Sequence, residues 1–313
     1  EEGFNLELAR MVSGNSNAGE LIEEIMKTST MLRFDSDENY NFWPVFRKCL
    51  LWEMQHEMNE NDQKEIFKRA ALYFELHDDI GKALIFYSKA DDSHKISELL
   101  VKNSEQHPGV GHFYEMEKYY YALSDENIRK SPALMSGMSM LTAMNMDNEA
   151  SERWYSELQE YASKLKKTDS EYKNARSRLA YLDIALPQRG ITGFVELMKN
   201  IFVLMQNREI SLPAFSVTST LPSIMNGGKD FCEWSKKDTF LYATMKIPVE
   251  YVLGKDGVGL ADCGLCESMF EKGEDVSKSM LNLMSRFGEI QVKGTPDIEF
   301  AVTGLLARIQ ISQ

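Results

Sequence analysis

The sequence predicts an all-α protein: a superhelix of stacked helical hairpins, preceded by a small module that holds one β-hairpin. Apolar residues recur at three- and four-residue spacing along nearly the whole chain, which is the period of an amphipathic helix. Strand-like alternation is confined to two short runs, TMLRF at residues 30–34 and NYNFW at 39–43. The prolines, at 44, 108, 132, 187, 213, 222, 248 and 296, fall between helix-period segments, where a residue with fixed φ and no N–H is tolerated.

Taken in order, residues 4–12 and 18–27 read as short amphipathic helices, the second with Leu21, Ile22, Ile25 and Met26 on one face. The two strand-like runs flank an acidic turn, Asp35-Ser36-Asp37-Glu38, and Pro44 then starts a helix through Leu50, Leu51 and Met54. Helix, helix, two-stranded wing and return helix is the order of a winged-helix module, here partial and assigned to residues 1–58. Such modules often read DNA, but an acidic wing favours a packing role.

Residues 62–90 organise the rest of the chain. Two helices meet at a turn over His77, Asp78 and Asp79, and Asp62 with Glu65 forms an expected capping box. Ala71, Phe74, Asp78, Ala83, Tyr87 and Ala90 have tetratricopeptide-like spacing, in which small residues let two backbones approach and aromatic rings fill the gap to the next pair. One such pair cannot bury its apolar face alone, so residues 59–313 are expected to stack further hairpins on it.

The later segments fit that expectation. A helix over 93–104 turns Ile96, Leu99 and Leu100 inward, and an aromatic helix with Phe113, Tyr114, Tyr119, Tyr120 and Tyr121 follows. Ser131-Pro132 caps the next helix, which turns at residues 145–147 so that Leu141, Ala150 and Trp154 repeat the spacing of Phe74, Ala83 and Tyr87. Helices over 171–185 and 193–205 come next, the first with Ala175, Leu179, Leu182 and Ile184 or Leu186 inward. Residues 207–230, with two prolines and many small polar residues, read as a long ordered loop. Beyond it lie a helix over 238–247, a glycine turn at 254–259, a hairpin of 263–272 and 276–287 around Gly273, and a last helix over 297–310 whose return partner is missing. Lys278 stands where the first hairpin has Ala83.

Composition narrows the function. The 35 basic and 48 acidic residues give a formal charge of −13, which disfavours nucleic acid and anionic lipid as partners. No run approaches the roughly 18 apolar residues of a spanning helix, no basic leader precedes an apolar core at the N-terminus, and both ends look cut from something longer. A cytoplasmic location is expected. Four cysteines are too few and scattered to staple the fold. Cys263 and Cys266 have redox-motif spacing but lie on an amphipathic helix with no preceding strand, which makes them structural; a zinc site would need two more ligands. GKDGVG at 254–259 matches neither phosphate-binding glycine pattern. No catalytic constellation, metal site or cofactor loop is found, so the chain is read as a non-enzyme.

NYNFWPVFRKCLLWEM, a short acidic link and FKRAALYFELHDDIGKALIFYSKADD together resemble the junction in large MalT-like regulators of the LuxR family, where an aromatic-x-Pro-x-Phe-Arg segment ends a winged helix and runs into helical repeats. LPAFSVTSTLPSIM, GKDGVG, ESMFEKGED and LLARIQISQ are similar to later repeats of clostridial-type members. The resemblance implies an inducer-binding and self-associating middle segment of a transcriptional regulator, with ATP held by a signal-transduction ATPase domain before it and a DNA-binding helix-turn-helix after it. A second reading is a repeat adaptor that binds a peptide or partner protein.

The candidate ligand site is a concave groove between the second hairpin and the long loop. Tyr181 and Asp183 bring a ring and a carboxylate to the end of an apolar helix, and Phe215 stands beside Ser216 and further hydroxyls. The alternative is that Asp183 caps local backbone while the hydroxyls satisfy loop carbonyls.

Overall fold

A computed structural model describes residues 3–35, 39–105, 112–186, 194–207, 210 and 235–312. Among them are sixteen α-helices and one two-stranded sheet, so the architecture is all-α with a small β-hairpin, as the periodicity predicts. The chain divides into two compact units, Glu1–Leu99 and Leu100–Gln313.

In the first unit, α1 (Leu6–Ser13) begins where the Asn5 side chain accepts the Leu8 N–H at 2.8 Å, and α2 (Ala18–Thr28) follows. Strands β1 (Leu32–Phe34) and β2 (Tyr40–Phe42) pair antiparallel, Leu32 opposite Phe42 and Phe34 opposite Tyr40. Phe4, expected in the first helix, instead exchanges backbone hydrogen bonds of 3.0 and 2.7 Å with Tyr40. Its ring lies 5.7 Å from Tyr40 and 5.3 Å from Phe42, so aromatic packing against the hairpin outweighs one more turn of helix. Of the expected apolar face of α2 only Ile22 is buried; Leu21, Ile25 and Met26 are 39–48% exposed. Helix α3 (Pro44–Glu57) carries Pro44 in its first turn and buries none of its residues fully.

Helices α4 (Glu60–Leu76) and α5 (Ile80–Lys89) form the expected hairpin, followed by α6 (Ser93–Glu105). Ala71 and Ala83 are fully buried, and Phe74 stacks on Phe86 at 5.5 Å. The capping box does not form. Asn59 has extended backbone and accepts the Asp62 N–H at 2.9 Å, so the helix starts before Asp62 and the cap lies three residues upstream of the expected one. The Asn5 amide donates to the Tyr73 hydroxyl at 2.7 Å, which seats the N-terminal segment on α4.

The second unit contains α7 (His112–Ala122), α8 (Asp125–Ile128), α9 (Pro132–Met144), α10 (Asn148–Ser163), α11 (Ser170–Ala185), α12 (Phe194–Gln206), α13 (Asp238–Leu253), α14 (Leu260–Glu271), α15 (Ser277–Lys293) and α16 (Pro296–Ser312). Helix α9 is its axis, with residues 132–143 all buried. Small residues permit that enclosure. The Ser139 and Ser151 hydroxyls each donate to the other's carbonyl, at 3.0 and 2.8 Å, bringing α9 and α10 into close contact. At Gly137 a Cβ would overlap the Tyr120 ring and hydroxyl, so only glycine lets α7 lie where it does.

One turn device recurs in both units. Asp78, Asp91, Met146 and Gly273 are left-handed, at φ 56, 55, 64 and 73, and the next N–H reaches the carbonyl five residues back: Asp79 to Phe74, Asp92 to Tyr87, Asp147 to Thr142 and Glu274 to Met269, at 2.9–3.0 Å. Three of these next residues are aspartates that then cap the following helix, accepting the N–H of Lys82, Lys95 and Ala150 at 3.0–3.1 Å. Left-handed residue plus aspartate ends one helix and starts another with no spare chain.

Pro248 departs from the expected pattern: it lies inside α13, which runs to Leu253 instead of stopping at residue 247. Proline there removes one backbone donor but does not prevent the helix from continuing. The glycine segment after it packs closely. Gly259 is at φ 83, and a Cβ on it would overlap Ile290, which belongs to the buried core Cys263, Cys266, Leu283, Ile290, Ile298, Val302, Leu305 and Ile309.

Candidate functional site

Helix α11 positions the predicted site. Residues 177–182 are all buried, so this half of the helix is enclosed rather than laid on a surface. Tyr181, at 3% exposure, belongs to that core. Asp183 is half-buried; its Oδ1 accepts the Tyr155 hydroxyl at 2.8 Å and its Oδ2 accepts the Asn200 amide at 3.4 Å. The carboxylate therefore joins α10, α11 and α12. Residues two apart on a helix point to different sides, and Tyr181 and Asp183 accordingly have different surroundings. Phe215 and Ser216 lie outside the described residues, as does the long loop they belong to.

The same helix holds a buried cation that periodicity and motifs do not single out. Arg178 is 1% exposed, and its Nε donates to the Asn174 carboxamide oxygen at 2.6 Å. Burial raises the Tyr120 phenol to about 12, while the Arg178 charge acts in the opposite direction. Ser177 is also fully buried, its hydroxyl without a hydrogen-bond partner among the described residues. Arg178 reads in sequence as one more charged residue in a polar stretch, and only the packing of other helices on α11 encloses it.

A second polar cluster joins three helices around Asp262, in the first turn of α14 and 3% exposed. Its Oδ1 accepts the Tyr242 hydroxyl at 2.7 Å and the Lys246 ammonium at 2.9 Å, and its Oδ2 accepts the Arg286 guanidinium. Arg286 also donates to Glu250 at 2.6 Å and Glu289 at 3.0 Å. Burial pushes the Asp262 carboxyl upward, but the hydrogen bonds from Lys246, Tyr242 and Arg286 outweigh it and hold the group below its ordinary range. Lys246 loses charge preference through burial and regains more from Asp262, so it stays protonated. Chemically this is a latch between α13, α14 and α15 with its carboxylate fully engaged. Tyr242 and Lys246 stand one helical turn apart, but nothing local points to Asp262 or Arg286, 16 and 40 residues further on.

Cys263 and Cys266 are buried free thiols, and burial pushes Cys263 up to about 12, which fits the structural reading. Among the described residues no group of three His, Cys, Asp or Glu side chains is placed to hold a metal ion, and no helix is long and apolar enough to cross a membrane. No family model, curated protein or solved structure matches the chain.

Proposed function

We propose that this chain is the sensor and protein-interaction segment of a MalT-like transcriptional regulator of the LuxR family, a binding role rather than a catalytic one. The observation that carries the reading is the element order of the first unit: two short helices, a two-stranded hairpin and a proline-started helix running directly into a close-packed helical hairpin. The formal charge of −13 supports recognition of an inducer or protein by this segment, with DNA contacted elsewhere. ATP would belong to a preceding domain. The small-molecule site would use the enclosed end of α11, with Asp183 as its acceptor.

Sequencing the chromosomal region on both sides of this coding segment tests the proposal. A phosphate-binding loop upstream and a helix-turn-helix downstream are expected; if neither is present, the regulator reading fails. A repeat adaptor for a peptide or protein is then the better reading. It has its own support in the surface of the first unit, where Trp43, Val45, Leu51 and Trp52 are 41–76% exposed on or beside a helix with no buried residue.

A further inference from the structure

Helix α13 carries an exposed apolar row in the middle of the second unit. Phe240, Thr244, Ile247 and Tyr251 follow one another at four-, three- and four-residue steps, so they share one side of the helix. Phe240 is 53% exposed, Ile247 79% and Tyr251 46%. Thr244 donates its hydroxyl hydrogen to the Phe240 carbonyl at 2.9 Å, so its polar hydrogen is already satisfied within the helix. Single large apolar side chains on a surface are ordinary, but three on one helix side within about 17 Å mark a place where another chain docks.

The neighbours of this helix are already in place. Met245, with Leu241, Val249 and Val252, packs with Ile201 of α12, and Asp262 of α14 fastens Tyr242 and Lys246. A helix stacked beyond α16 would touch its own nearest repeat rather than this row.

The charges around the row select the partner. The chain has 13 more acidic than basic residues, yet neither acidic residue of α13 is exposed: Asp238 is held by Lys272 at 2.7 Å and Glu250 by Arg286 at 2.6 Å. At the two ends of the row stand Lys237 and Lys255, both exposed, and neither pairs with a carboxylate among the described residues. Helical rise puts them about 27 Å apart. An apolar row between two cations fits an amphipathic helix with apolar residues at matching steps and carboxylates at both ends. A second copy is disfavoured, because the row laid antiparallel on itself brings Lys237 against Lys255. At about 0.15 M salt the Debye length is about 8 Å, so a docked helix responds to these two lysines more than to the net charge of the whole chain.

We propose that the exposed row of α13 is a docking site for an acid-ended amphipathic helix of another protein. The site needs neither the Asp183 pocket nor the regulator role, and either can fail without it. Fluorescence anisotropy of the whole 313-residue chain with two labelled alanine-based helical peptides of about 20 residues tests it. Both peptides carry leucines at four-, three- and four-residue steps; one has glutamates at its ends and the other lysines. The glutamate-ended peptide should bind with a Kd of about 10 µM and the lysine-ended one at least about tenfold more weakly. Ile247→Glu should weaken the first peptide at least about tenfold with an unchanged far-ultraviolet circular dichroism spectrum. Lys237→Glu together with Lys255→Glu should reverse the preference between the peptides, which a merely sticky surface would not do. Leu281→Glu, at a site 67% exposed on α15, should change nothing. No binding of either peptide at about 100 µM, equal binding of both, indifference to Ile247→Glu, or equal damage by Leu281→Glu would each overturn the proposal. So would protection of Phe240 and Tyr251 from hydroxyl-radical oxidation in the chain alone, since the row would then be covered already.

Discussion

Replacing Asp262 by asparagine keeps the shape of the side chain and removes its charge, so it isolates the value of the latch between α13, α14 and α15. The wild-type carboxylate accepts three donors while 3% exposed. The amide keeps one acceptor oxygen and turns a donor toward groups that are themselves donors. Removing one partner of a buried ion pair costs about 3–5 kcal/mol. Two facts reduce that here. The Lys246 and Arg286 side chains are 28% and 19% exposed, so water recovers part of the lost interaction, and Arg286 retains Glu250 and Glu289. The expected loss is about 2–3 kcal/mol, or about 4–12 °C in melting temperature for a unit of this size. Two compact units need not unfold together, so amide hydrogen exchange in α13, α14 and α15 is the localising assay beside calorimetry. The pH dependence has a definite sign. The folded carboxyl lies below its ordinary value of 3.8, so its contribution is complete above that value and is lost as pH falls through the lower folded value. Wild type and variant should differ by a constant amount from about pH 5 to 8 and converge below about pH 4. A loss under about 1 kcal/mol, or a gap that widens on acidification, would refute the reasoning.

Met146→Gly should stabilise the second unit by about 1 kcal/mol in urea denaturation, because Met146 is 78% exposed and sits at φ 64, where a Cβ is strained. Gly137→Ala should destabilise it by about 1–3 kcal/mol in the same assay, since the new methyl overlaps a Tyr120 ring that is 2% exposed and has nowhere to move. Alkylation of the native protein followed by peptide mass mapping should modify the exposed Cys49 quickly and Cys263 and Cys266 only on unfolding. Thermal-shift screening with oligosaccharides, amino acids and short peptides should find any inducer's stabilisation reduced by Asp183→Ala; an undiminished shift would place the ligand elsewhere.

Periodicity alone determined that the chain is helical, because the three- and four-residue recurrence of apolar groups is a property of neighbours in sequence. The same local logic located the β-hairpin, the proline-started helix α3, and the hairpin in which Ala71 and Ala83 meet. Only tertiary structure decided which of several apolar rows faces inward. Leu21, Ile25 and Met26 look as buried as Ile22 in sequence, and the exposed row of α13 looks as buried as its inner side. Phe4 left the helix that its neighbours favour because the rings it packs on lie 36 and 38 residues away. The capping residue of α4 changed from Asp62 to Asn59 because backbone geometry, which residue type does not specify, selects the cap. Arg178 and the Asp262 latch were invisible for the same reason: burial and charge pairing are properties of helices brought together from distant parts of the chain, and a sequence records the residues without the distances.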